Sequence, residues 1–178
     1  HVFQQSQHEI GRLWQINRIT VAQEHYCTAA TQMIMSQLYP QIFAGARVGR
    51  QFVGVCVGGD LHEIGMRMIA DFFEIDGWDT VYLGSNVPSA DLIHTLQERQ
   101  PDVVGISATL TTHIGAVTQI ISSIREAPSC RDIKIIVGGH PFNVTPDLWK
   151  DVQADGCCED ARGAVELANQ LIRHGAAS

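Results

Sequence analysis

The residues best suited to do chemistry in this chain are Asp60, His62 and Gly65, in the run Val53-Gly54-Val55-Cys56-Val57-Gly58-Gly59-Asp60-Leu61-His62-Glu63-Ile64-Gly65. An imidazole two residues after a carboxylate suits a metal ligand with its own orienting partner. A ligating His usually donates its second ring N–H to a carboxylate, which fixes the tautomer and raises its basicity. Gly65 lacks a side chain where a large planar group would approach the backbone closely. The letters His-Glu-Ile-Gly also occur at 8–11. There Ser6 stands where an Asp is needed and no strand-like run precedes, so that copy is a coincidence inside a helix. No Cys/His set has zinc spacing, and neither a Ser-His-Asp arrangement nor a Walker glycine loop is present. With no catalytic acid, base or nucleophile in evidence, a binding protein, not an enzyme, is expected.

What must position these residues is a short strand and the loop that leaves its C-terminal end, which in open α/β sheets is where ligands bind. Gln51–Val57 is the candidate strand, followed by a helix over Glu63–Asp76 with Ile64, Met68, Ile69, Phe72 and Phe73 on one face. Gly77 stops that helix. Thr80–Leu83 is the next strand, 84–88 a turn, and Ser89 the expected N-cap of a helix to Arg99. The strand Val103–Ser107, a helix over His113–Arg125, the β-branched strand Ile133–Val137, a shorter helix over Thr145–Asp151, a short strand Ala154–Cys157 and a helix over Ala161–His174 complete the pattern. Five strand–helix units predict an α/β fold, a doubly wound parallel sheet of flavodoxin-like or Rossmann-like type, with the ligand at the switch point beyond strands one and three.

The first 45 residues read differently. They carry no strand-like run before Tyr39-Pro40, and their apolar residues suggest two helices, 2–12 and 17–39, broken near Asn17–Thr20. A pair of helices buries little by itself, so 1–45 is expected to be part of a helical cap on an α/β domain spanning 50–178, joined through the linker Gly45–Gly49. A chain that opens on His1 is expected to be a fragment of a longer protein.

Composition limits the function classes. Twelve basic against 19 acidic residues give −7, and no basic run supplies the electrostatic footprint of a nucleic-acid binder. No apolar stretch approaches the ~20 residues that span a bilayer. Five cysteines, an odd number without paired spacing, favour reduced thiols in the cytoplasm.

Two further constellations follow strands. Ser107-Ala108-Thr109-Leu110 closes the third and Gly138-Gly139-His140 the fourth. A long ligand tail buried beside a sheet needs small residues at strand ends and a hydroxyl for a buried polar atom. With Asp60-x-His62-x-x-Gly65, these resemble the signature of cobalamin-binding domains that hold the cofactor base-off and His-on. The resemblance implies cobalamin and its cobalt as cofactor, His62 as the lower axial ligand and Asp60 as its partner. Ser107, Thr109, Gly138 and Gly139 would then line the slot for the displaced nucleotide tail.

In the helical part, Trp14 is followed by Glu24-His25 in the pattern Trp-x9-Glu-His. This resembles the cap of the CarH-type cobalamin-dependent photoreceptors. The resemblance implies adenosylcobalamin, with Trp14 packed on the upper corrin face against the adenosyl group and Glu24 and His25 contacting the adenosine. Light would cleave the cobalt–carbon bond, and the void under Trp14 would drive a repacking of the cap that changes conformation or oligomeric state. A homo-oligomer, dimer or higher, is expected, and a second chromophore on another domain is left open. One departure stands out. The residue after the Trp, a His in the best-known members that binds cobalt once the adenosyl group leaves, is Gln15 here, which puts that photoproduct in doubt. His113, past the third strand, and His140 are weaker candidates near the corrin edge and the tail. The alternative function is the corrinoid-carrying protein of a methyltransferase system, which shares the cap and the Asp-x-His-x-x-Gly core but shuttles a methyl group. The adenosine-contacting pattern favours the sensor.

Overall fold

Where β-branched and aromatic residues cluster between turn formers, strands form. The computed structural model describes residues 2–43, 45–59 and 62–175, and the chain divides into two units, His1–Ala44 and Gly45–Ser178.

The first unit is helical: α1 (Val2–Gln15), α2 (Val21–Gln37) and a single turn, α3 (Tyr39–Ile42). Asn17 takes a left-handed conformation at φ 54°, which Asn tolerates better than most residues, and this ends the first helix. Thr20 then starts the second through a capping box. Its Oγ1 accepts the Gln23 N–H at 3.2 Å, while Gln23 Oε1 accepts the Thr20 N–H at 2.9 Å. The second helix thus begins four residues later than expected, because a capping box outweighs the helical run of residues before it. Gln7 ties α1 to α2, donating to Thr31 Oγ1 at 2.7 Å and accepting from Thr28 Oγ1 at 3.1 Å.

The second unit is the expected five-stranded parallel sheet. Its strands are β1 (Gln51–Cys56), β2 (Asp79–Tyr82), β3 (Val103–Ser107), β4 (Lys134–Gly138) and β5 (Gly156–Cys158), in the order β2-β1-β3-β4-β5. Between and after them lie α4 (Ile64–Ile75), α5 (Ser89–Arg99), α6 (Ile114–Glu126), α7 (His140–Val144), α8 (Leu148–Asp151) and α9 (Ala161–Gly175). Three local expectations are corrected. Pro88, not Ser89, is the cap residue of α5, and it makes no side-chain cap bond. Of the predicted helix over Thr145–Asp151 only α8 (Leu148–Asp151) forms, and a separate short helix, α7, precedes it at His140–Val144. Pro141 starts α7, and Asp147, left-handed at φ 66°, stands just before α8. The last strand starts two residues late, where β5 pairs with β4 through Ile136↔Gly156.

The sheet has two different faces. On one, Val53, Val55, Val104, Ile106, Ile135 and Val137 pack against α5 and α6, through Leu92, Leu96, Val117 and Ile121. On the other, Phe52, Val103 and Ile136 meet Met66, Ala70 and Phe73 of α4 and Ala164 and Ala168 of α9. Phe52 stacks on Phe73 with centroids 3.9 Å apart, and Trp78 meets Phe73 edge-on at 5.0 Å. The buried Glu74 is fully engaged. It accepts from the Thr80 N–H at 3.1 Å and Oγ1 at 2.5 Å and pairs with Arg47, whose guanidinium also donates to Trp78 O at 2.6 Å. Residues 45–49, expected as a linker, are therefore held against the α4–β2 turn, where Val48 N–H also donates to Gly77 O at 2.8 Å.

Candidate functional site

The strand order reverses at β1 and β3, and the chain leaving their C-terminal ends runs to opposite faces of the sheet, to α4 and to α6. Two backbone bonds brace the loops there: Val57 N–H to Ser107 O at 3.0 Å and Cys56 N–H to Gly84 O at 2.9 Å. The chain then turns at Gly58-Gly59. Gly59 has φ 84°, a conformation that costs a glycine nothing. Its N–H donates to Asn86 Oδ1 at 2.7 Å, so the loop after β2 steadies the loop after β1. Asn86, itself left-handed at φ 58°, was not singled out from the sequence; an Asn inside a turn was its only signal.

His62 follows, exposed, just ahead of α4. Gly65 is exposed in the first turn of α4, and a Cβ added there would meet nothing within 4 Å. An imidazole at the ligand-binding end of the sheet thus adjoins open backbone, as a flat ligand with a central metal requires. Asp60 and Leu61 lie outside the described residues, so the partnership of Asp60 with His62 stays an expectation. His113, in the 3-10 turn Thr111–His113 after β3, reaches the same loop: its Nε2 is 3.8 Å from where a Cβ on Gly59 would stand. Among the described residues there is no cluster of three or more His, Cys, Asp or Glu that could hold a metal ion.

The glycine pair after β4 is required by sterics. Gly139 has φ 103°, and a Cβ there would fall 2.0 Å from Ala108 O; at Gly138 it would lie 3.3 Å from Cys158 O. This close approach brings the loops after β3 and β4 together, with Thr109 half-buried between them and His140 exposed at the start of α7. Ser107 is buried, 9% exposed. It lines a narrow slot between the sheet and the helices α4 and α9, with Gly105, Gly138, Met66, Phe73 and Ala164. Only about 20 Å³ remains open there, room for one water at most.

Burial sets the electrostatics around the slot. It pushes the Cys158 thiol up to about 12, with Cys157 and Asp160 adding to the shift, and it also raises Cys157. Both thiols are neutral, so neither is a reactive thiolate. Burial likewise raises the Tyr82 phenol, whose OH donates to Glu63 O at 3.3 Å beside His62.

In the helical unit, Trp14 is 41% exposed near the end of α1, and Gln15 ends that helix, exposed. Glu24 is the organised member of the predicted trio. His25 Nδ1 lies 2.6 Å from its Oε2, and Thr28 Oγ1 donates to its Oε1 at 2.9 Å. Its carboxylate is thus held within the first turns of α2.

The doubly wound sheet thus brings an exposed imidazole to its switch point, where such folds bind their ligands. The B12 binding domain family matches residues 50–168, and a second B12 binding domain model matches 1–39. The chain belongs to the B12-binding domain family, and its ligand is a cobalamin. It is 29% identical, over 92% of its length and 76% of the relative's, to a corrinoid protein of Desulfitobacterium hafniense (strain Y51). It is 30% identical, over 78% of its length and 63% of the relative's, to the dimethylamine corrinoid protein of Methanosarcina barkeri. Its fold matches the Methanosarcina barkeri monomethylamine corrinoid protein at TM-score 0.81, with 20% identity, covering 95% of this chain and 80% of that one. The methanol:cobalamin methyltransferase complex of the same organism matches at TM-score 0.64, with 21% identity, over 94% of this chain and 63% of that chain.

Proposed function

We propose that this chain is the corrinoid-carrying protein of a methyl-transfer system, presenting cobalt-bound methyl groups to a separate methyltransferase. The observation that carries this reading is its similarity, over nine-tenths of its length, to a protein named as a corrinoid protein. The dimethylamine corrinoid protein of Methanosarcina barkeri points the same way. The family's fit to this chain rests on His62 at the sheet end, the unobstructed backbone at Gly65 and the small residues Ser107 and Gly138 at the ends of β3 and β4. In this reading His62 would hold the cobalt, Asp60 would orient its imidazole, and Thr109, Gly138 and Gly139 would border the tail. The bound cobalamin supplies a cobalt that accepts and releases a methyl group. The chain is not itself the catalyst; its residues hold, orient and present.

A second reading has one specific observation in its favour. Trp14, Glu24 and His25 keep the spacing that implies an adenosyl group above the corrin, and Glu24 is held by His25 and Thr28 in an ordered arrangement. A methyl carrier has no adenosyl group to hold, so this pattern supports a light sensor that binds adenosylcobalamin and changes conformation or oligomeric state on illumination. Gln15 leaves that reading without the upper His of its best-known members.

Reconstitution in the dark with methylcobalamin and with adenosylcobalamin, followed by green light, separates the two. A methyl carrier binds methylcobalamin at least as tightly, donates the methyl group to a methyltransferase partner and keeps its hydrodynamic size in light. Preference for adenosylcobalamin, lost in Trp14→Ala, with a light-driven change in size, replaces it with the sensor. In either case His62→Ala abolishes the His-on absorbance spectrum and weakens cobalamin binding by on the order of 100-fold. A retained His-on spectrum in that variant removes His62 as the ligand.

A further inference from the structure

The chain leaving β2 touches the chain leaving β1 repeatedly. Leu83 N–H donates to Gly54 O and Cys56 N–H to Gly84 O, each at 2.9 Å, which carries the contact past the last register pair, Gly54↔Tyr82. Gly59 N–H then donates to Asn86 Oδ1 at 2.7 Å, and the Tyr82 hydroxyl donates to Glu63 O at 3.3 Å. Glu63 caps α4 without a side-chain bond, and its carbonyl also accepts the Arg67 N–H at 3.1 Å. Gly59 and Glu63 stand on either side of His62. The exit of β2 therefore pins the loop of that imidazole on both sides.

Of these contacts, the one from Asn86 is least required by the backbone. Position 86 is left-handed at φ 58°, a conformation that glycine adopts without strain and Asn tolerates. Glycine would serve the turn as well, so what Asn adds is an acceptor. The N–H it captures belongs to the second residue of Gly58-Gly59. Two glycines in succession have more conformational freedom to lose than any other pair. A bond from the exit of β2 removes that freedom before a ligand arrives. On the side toward β3, His113 Nε2 lies 3.8 Å from where a Cβ on Gly59 would stand, so the turn is bordered there as well.

We propose that Asn86 is the positioning residue for His62: its side-chain carbonyl fixes the Gly58-Gly59 hinge, so that the imidazole is in place when the corrinoid binds. The inference rests on the corrinoid reading above and adds a residue, outside the run that holds Asp60, His62 and Gly65, that sets the stance of the ligand. Without the acceptor the hinge samples other conformations, and ordering it on binding costs affinity. Part of the bound cobalt then lacks the imidazole.

The test uses cobinamide, a corrinoid without a tail base, in imidazole-free buffer, so that an axial nitrogen on its cobalt comes from the protein. With the cobalt reduced to cobalt(II), electron paramagnetic resonance reads that nitrogen as a splitting of the signal. Asn86→Gly keeps the left-handed turn and removes the acceptor. It is expected to weaken cobinamide binding about fivefold and to mix nitrogen-free cobalt into the spectrum. In the ligand-free protein it is expected to speed hydrogen exchange at the Gly59 amide. Asn86→Asp keeps an acceptor and tolerates the same φ, and is expected to bring each readout back toward that of the unaltered protein. A residue that served the fold alone would lower the urea midpoint and leave the splitting complete. Complete splitting in Asn86→Gly therefore overturns the inference, as does unchanged affinity, or a failure of Asn86→Asp to restore the splitting. The corrinoid reading fails separately: no nitrogen splitting in the unaltered protein, or its survival in His62→Ala, removes His62 as the ligand, and this inference with it.

Discussion

The two faces of the sheet are built by opposite rules. Toward α5 and α6, Val55 pairs with Ile106 and Ile106 with Val137. These β-branched side chains, stiff at χ1, fill the space between sheet and helices completely. Toward α4 and α9, the residues next to them in sequence are Cys56, Ser107 and Gly138, too small to fill it. One face is filled by stiff branched side chains, and on the other Met66 and Phe52 cover the small residues Gly54 and Gly105. A strand's alternation lets neighbouring residues in the same chain segment do both jobs at once.

Four substitutions or conditions probe that difference. The largest effect is expected where the two loops touch: Gly139→Ala forces a Cβ to 2.0 Å from Ala108 O at φ 103°. It should cost above about 4 kcal/mol or prevent folding, as read by urea denaturation; a variant of near-normal stability would mean the loops part easily. Next, Ile106→Ala on the filled face removes a fully buried side chain and should cost about 3 to 4 kcal/mol. Met66→Ala on the slotted face, though nearly as deeply buried, should cost less, about 2 kcal/mol, because an unbranched thioether packs less stiffly than a β-branched side chain. Equal costs would erase the contrast between the faces. The smallest effect comes from pH. The Cys158 thiol is raised in the folded chain to about 12 from the ordinary 9.0, so its neutral form is favoured by folding. That contribution is complete below pH 9 and is lost as pH climbs toward 12. The urea midpoint of the unaltered protein should therefore fall more between pH 8 and 11 than that of Cys158→Ala, and parallel curves would remove the thiol from the account.

Much of this was legible in the sequence. Val103–Ser107 is the expected strand residue for residue, because a β-branched run between Pro101 and the polar loop has few alternatives. The helix to Arg99 and the stop at Gly77, which takes φ 89°, follow from periodicity and from glycine's conformational freedom. The sheet order is the flavodoxin-like one expected once five βα units are recognised. The finer reading of the helical unit, an adenosyl-holding cap of a light sensor, rested on three residues, Trp14, Glu24 and His25. The relatives that the chain matches over most of its length are named instead as corrinoid proteins. A short spacing pattern carries less information than a match over the whole chain.

What could not be read was whatever depends on elements brought together by the fold. Nothing local to Asn86 announces that it steadies the Gly59 turn at 2.7 Å. Arg47, in what reads as a glycine-flanked linker, is the partner of a buried Glu74. The late start of the predicted 145–151 helix, at Leu148, goes with Asp147 taking a positive φ, a backbone choice that propensity does not set.

By itself the sequence determined the alternation of strands and helices, the parallel sheet, and a His with an Asp two residues before it at the end of the first strand. Periodicity and motif spacing are local properties, carried by residues within a few positions of one another. The tertiary structure decided which small residues share a row, that Cys56, Ser107, Gly138 and Cys158 line up across four strands, and that Met66 lies in the trough they leave. Register and packing are relations between residues far apart in the chain, and no local pattern encodes a void.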